Sequence, residues 1–220
     1  MSKKLTVVTT LALALALVLG TGVMAQAQKT QITAWVDGEK LLEYVFDDSF
    51  YLPGKVMFVP YNGIVRYDDV KVTSLAGEIL FADDFEDEEL GAFPSKWQRE
   101  NAGGWTIVEE DGNKVLEQSD AGLTGMSDLW PKAEYFADSA EHVFEFRYKL
   151  VSWNGNTNRM NFIVRGDNRN NNYMVQYNRS VGVLAITHRF SGGDNRMVEV
   201  PFELEPGRWY EFKIEVRLVN

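Results

Sequence analysis

The 220-residue chain has no cysteine and only two histidines. The first absence excludes disulfides and a lipid-modified cysteine at a processing site, and the two together leave little from which to build a zinc or copper centre. A long apolar run is missing as well. The most apolar stretch, residues 5–19, is about 15 residues long, short of the ~20 needed for a membrane span. Helical periodicity is absent beyond a turn near residues 133–139.

What the N-terminus does contain is a leader. Lys3 and Lys4 precede the apolar run, and Val23-Met-Ala25 and Ala25-Gln-Ala27 both offer small-residue cleavage sites. Residues 1–27 are therefore expected to be a signal peptide. The alternative, an uncleaved anchor, needs a longer run. The mature chain, residues 28–220, is expected to be one domain that works outside the cytoplasm, either secreted to the extracellular space or periplasmic. Without Lys3 and Lys4 the chain keeps 20 basic against 32 acidic residues. A net charge of −12 disfavours nucleic acid and anionic lipid surfaces; it suits solubility and attracts divalent cations.

The remaining pattern is β throughout. Apolar and polar residues alternate in His142-Val-Phe-Glu-Phe-Arg-Tyr-Lys149, as in a strand with one buried and one wet face. Similar runs bounded by turn signals recur at residues 32–36, 41–46, 55–60, 63–67, 70–73, 84–85, 105–109, 114–118, 160–165, 173–177, 183–189, 197–200 and 209–219. Thirteen per cent aromatic residues supply the bulk that a two-sheet core requires. The last strand, residues 209–219, has no successor to pair with. The first mature strand ends in Asp37-Gly38, a tight-turn signal. Joined tail to head, the two would form a hairpin.

Several motifs occur in an order that carries a resemblance. Phe81-Ala-Asp-Asp-Phe85 opens the second part of the chain, and Pro206-Gly-Arg-Trp-Tyr210 closes it. Trp35-Val-Asp-Gly38, Pro53-Gly-Lys-Val56 and Arg66-Tyr-Asp-Asp-Val-Lys-Val72 stand at the front. Under one cyclic shift this order resembles the concanavalin A-like lectin/glucanase superfamily of laminin-G-like jelly rolls. The resemblance implies an all-β, two-sheet antiparallel jelly-roll sandwich that is circularly permuted. Residues 30–75 would correspond to the C-terminal part of the family fold and residues 78–220 to its N-terminal part. A mid-domain cut from a tandem array would produce the same order.

The resemblance also implies a structural Ca²⁺ held by Asp69, Asp84 and Glu86, with Asp68 as a further ligand. Asp68-Asp69 and Asp83-Asp84 are two of three such pairs, Asp47-Asp48 being the third. The plain alternative is that these acids are solvated or cap turns. From alternation, Asn161, Arg165 and Gln176 point away from the core. With Arg147 they would give a hydrogen-bonding face for sugar hydroxyls, and Trp153 in the following loop would supply an aromatic plate. A merely solvated sheet is the competing reading of that face. The superfamily's glucanase pattern Glu-x-Asp-x-x-Glu is absent, as is a nucleophile elbow. Glu86-Asp-Glu-Glu89 and Glu109-Glu-Asp111 lie at turns. The motifs of the branch that acts on keto-sugars do not match well either.

Three functions follow in order. The first is a secreted, non-catalytic domain that binds a polysaccharide or glycan. The second is a structural subunit of an extracellular filament, built when chains exchange residues 30–75 with copies of themselves. The third is a glycoside-active hydrolase. N-terminal sequencing of the exported protein should find Gln26 or Gln28 first; an intact Met1 on that protein would identify the leader as an anchor.

Overall fold

In the computed structural model the described residues are 28–47, 54–100, 103–121, 127–155 and 158–220. The expected leader and Asp48 lie outside them. The described residues form strands and turns without a helix. The strands are β1 (Lys29–Val36), β2 (Glu39–Phe46), β3 (Met57–Tyr61), β4 (Gly63–Thr73), β5 (Ile79–Asp83), β6 (Trp97–Glu100), β7 (Trp105–Glu110), β8 (Asn113–Gln118), β9 (Asp128–Pro131), β10 (His142–Trp153), β11 (Arg159–Asn168), β12 (Asn171–Asn178), β13 (Val183–Phe190), β14 (Gly193–Pro201) and β15 (Trp209–Val219).

Two sheets pack face to face. The larger runs β2-β1-β15-β10-β4-β8-β7, with β5 also pairing β4, and the smaller runs β14-β13-β12-β11-β3-β9-β6. All strand pairings are antiparallel. The tail-to-head hairpin is present. β1 pairs β15 over its full length, Lys29 opposite Val219 and Val36 opposite Phe212. Asp37 and Gly38 take φ of 51° and 80°, the positive values that a two-residue hairpin turn demands. Asp37 also ties the turn to β15: its N–H donates to the Glu211 carbonyl (2.8 Å) and its Oδ1 accepts from the Glu211 N–H (2.9 Å).

Alternation along β10 puts Phe144, Phe146, Tyr148 and Leu150 into the space between the sheets. Phe212 of β15 stacks on Phe146 with centroids 5.4 Å apart and planes 5° apart. Phe162 of the smaller sheet closes the group, 4.8 Å from each of those rings. Such contacts span both layers and exclude water from the centre.

The strand reading differs from the structure in three places. Residues 63–67 and 70–73 are one strand, β4, kinked at Asp69 (φ 49°), where β4 and β10 shift register. The strand expected at Asp84 lies earlier, as β5. β6 and β9 are four-residue strands that pair with each other and carry too few residues to show alternation.

A second bulge, after Ile163, changes the direction of Arg165. Before it, Ile163 faces Met174 on the side away from the core; after it, Arg165 lies opposite Tyr173, a core residue. One extra residue in a strand reverses every later side chain. Arg165 is thus buried at one end of the sandwich, and its Nη1 donates to Thr30 Oγ1 of β1 (2.7 Å). His142 is buried near it. Burial, aided by the charge of Arg165, pushes the His142 imidazole from 6.5 down to about 4.

Asp128, on the outer side of the smaller sheet, is also buried. Burial raises its carboxyl from 3.8 to about 6, against the opposing Arg169, 3.6 Å away. These two groups act on stability in opposite senses. The unfolded chain protonates His142 near 6.5 and the fold only near 4, so acidification through that window removes stability. The fold protonates Asp128 near 6 and the unfolded chain near 3.8, so acidification there adds stability. His142→Gln removes the first effect and keeps the second. Relative to wild type, the variant's melting temperature should rise on going from about pH 7 to about pH 4.5. A difference independent of pH would show that His142 does not titrate in this way.

Candidate functional site

The five residues expected to form one sugar site occupy four separate places. Arg165 is inside the sandwich, for the reason given. Arg147 is on the outer side of the larger sheet, opposite Asp68 and Glu211 in register. Its Nη1 lies 3.1 Å from Asp68 Oδ2 and 3.5 Å from Asp69 Oδ2, and its guanidinium covers the Trp209 ring at 4.7 Å. Asn161 and Gln176 do point away from the core, paired in register on the outer side of the smaller sheet. Both are only 1% exposed. Gln176 Nε2 donates to Asn161 Oδ1 (2.9 Å) and Asn161 Nδ2 donates to the Val59 carbonyl (3.2 Å). Beside them Met57, Val59, Ile163 and Met174 form a second apolar cluster against Trp130. An outward position on this sheet is therefore not a solvated one.

Trp153 stands apart from all four. At the C-terminal end of β10 it reaches across to the smaller sheet, where its indole stacks on Tyr177 of β12 (5.8 Å, 23°) and on the guanidinium of Arg179 (5.1 Å). Tyr177 lies near the end of β12 and Arg179 in the turn just after it, and both lie against the indole. Trp153, Tyr177, Arg179, Phe202, Glu203 and Leu204 line a cavity of about 650 Å³ at this end of the sandwich, where the segment linking β14 to β15 passes over it. The volume is that of a small-ligand pocket, and its lining combines three aromatic side chains with Arg179 and Glu203. Burial raises the Tyr177 hydroxyl, which stays protonated at neutral pH.

Of this lining the sequence pointed only to Trp153. Tyr177 reads as core from its alternation, and Phe202 and Glu203 sit in a loop whose position no periodicity reveals.

The four acids expected to hold calcium are engaged elsewhere. Asp68 is buried where the edge of β4 passes from β8 to β5. It accepts from Asn113 Nδ2 (2.8 Å), Arg147 Nη1 (3.1 Å) and the Asp69 N–H (2.8 Å). Burial raises its pKa, with these hydrogen bonds opposing. Asp84 is exposed and caps a turn by accepting from the Glu86 N–H (3.3 Å), while Glu86 Oε1 accepts from the Lys114 N–H (2.8 Å). Asp69 and Asp84 do share a groove of about 910 Å³ on the outer side of the larger sheet, but Lys71, Lys96 and Arg147 line it with them. Among the described residues no three acid or histidine side chains converge on a point. This donor set does not fit a calcium ion, which takes 6–8 oxygens.

No family model matches this chain, and no solved structure matches it. Among curated proteins it is similar to the extracellular exo-alpha-L-arabinofuranosidase of Streptomyces chartreusis, with 27% identity over 156 residues. That match covers 69% of this chain but 16% of the relative, so the chain spans about a sixth of that enzyme's length.

Proposed function

We propose that this sandwich is a secreted carbohydrate-binding domain without a catalytic role of its own, and that sugar docks in the end cavity against Trp153. The observation that carries the reading is the composition of that cavity. Trp153 and Phe202 offer apolar surface to sugar C–H groups, with the buried Tyr177 supporting the indole, and an arginine and a carboxylate offer hydrogen bonds to hydroxyls. Among the described residues its only acid is Glu203, whereas hydrolysis of a glycosidic bond ordinarily needs two carboxyls across the bond. The similarity to part of an extracellular arabinofuranosidase supports a carbohydrate context outside the cell, and an appended binding domain is the simplest role for so small a share of such an enzyme.

Retention on insoluble arabinoxylan tests the reading. Trp153→Ala should weaken it roughly tenfold or more, as expected for losing an aromatic contact and its burial, with the melting transition still cooperative. Unchanged retention in that variant removes the end cavity as the site.

The filament reading meets a physical obstacle. Residues 30–75 supply not only the edge pair β1 and β2 but also β3 and β4, which lie in the middle of the two sheets. Transferring the whole block would pass through a form with both sheets opened and the aromatic core exposed, a barrier far above that of freeing an edge strand, although the exchanged product regains the same contacts. Size-exclusion chromatography with light scattering on residues 28–220 should give a monomer; rings or fibres would restore strand exchange as the organising mechanism.

A further inference from the structure

We infer that the end cavity selects acidic sugars, with Arg179 taking the carboxylate of a uronic acid residue that lies on Trp153. The inference rests on the sugar-binding reading above and names its ligand class. Arg179 follows β12 in a turn that is firmly held. Its N–H donates to the Asn158 carbonyl (3.1 Å), and Asn178 Oδ1 accepts from both the N–H (3.2 Å) and the hydroxyl (2.7 Å) of Ser180. The side chain is fixed as well: Nη1 donates to the Gly155 carbonyl (2.8 Å) and the guanidinium lies against the indole.

What this cation does not have is an acid. Most other arginines of the fold pair with carboxylates, Arg66 with Glu110 and Glu117, Arg147 with Asp68, and Arg159 and Arg189 with Asp194. No carboxylate among the described residues lies within 4 Å of Arg179, although Glu203 lines the same cavity. In a chain of formal net charge −10, a half-buried guanidinium with no acid of the fold beside it is open to an anion from outside. A guanidinium has five N–H donors in a planar fork that matches a carboxylate in two-point geometry, and one donor is used by Gly155. A neutral sugar would gain from the indole and leave this charge uncompensated. A uronate on the same plate brings its carboxylate to the cation.

Two polymers separate the charge from the sugar: polygalacturonate and its fully methyl-esterified form. The mature protein should be retained by the first at least tenfold more strongly than by the second, and added salt should erase the difference. Arg179→Gln should lower retention on polygalacturonate at least tenfold and retention on the ester by clearly less, so that the preference for the acid form disappears; Arg179→Lys should keep part of the preference. Equal retention of wild type on both forms overturns the inference. So does an equal loss on both forms in Arg179→Gln, which would mean that Arg179 only supports the indole. The two failures are distinguishable: if Trp153→Ala binds both polymers as wild type does, the cavity itself is not the site, whereas dependence on Trp153 without dependence on charge leaves a neutral-sugar site standing. Retention on neither polymer overturns the inference.

Discussion

The pairing of the first strand with the last holds the architecture together. β1 and β15 match residue for residue, from Lys29 opposite Val219 to Val36 opposite Phe212. β15 in turn pairs β10, whose Phe144, Phe146 and Tyr148 form the centre of the core. Without β1, the apolar side of β15 keeps its aromatic contacts but the sheet loses both β1 and β2 at that edge. The opening of the sandwich beside β13 and β14 would then be wider, and Arg165 would lose the Thr30 hydroxyl it is buried against. Antiparallel sandwiches bring chain ends close together, so a sheet closed by its own termini costs little to build.

The candidate site follows from where that sheet stops. β10 runs on past Lys149, its last pairing with β15, stays paired with β4 as far as Trp153 opposite Gly63, and the Trp153 indole crosses to the smaller sheet. The segment from β14 to β15 must span the gap between the two sheets to deliver Trp209 to the strand beside β10. In doing so it lays Phe202, Glu203 and Leu204 over Tyr177. The cavity is thus a product of a crossover between layers, with an indole already supported from below by a phenol ring and a guanidinium. Such support lowers the ordering cost of binding, because the plate needs no rearrangement to receive a ligand face.

Much of the fold was legible because strand alternation is a local property. His142 to Lys149 announces its buried and exposed sides in eight residues, and Asp37-Gly38 announces its turn in two. The site was far less legible. Arg165 has the right parity for the outer side of the smaller sheet, but one bulge after Ile163 sends it inward. Arg147 has the right chemistry for a sugar hydroxyl, but its charge is committed to Asp68 across a strand pair. Asn161 and Gln176 have the right direction and are nevertheless buried and bonded to each other. Bulges and cross-strand charge pairing are decided by neighbours far away in the chain. No alternation pattern contains them.

Composition and periodicity alone determined that this is a cysteine-free, acidic, all-β chain, because those properties depend on residue type and on a period of two. Which side chains meet was decided only by the tertiary structure. Trp153, Tyr177, Arg179, Phe202 and Glu203 come from two sheets and a connecting segment, and only packing of the layers brings them to one cavity. The carboxylates that looked like a metal site were divided by the same packing among a buried ion pair and two backbone caps. Proximity between distant residues is a consequence of burying the aromatic core, and it is written in the fold and not in the spacing of the letters.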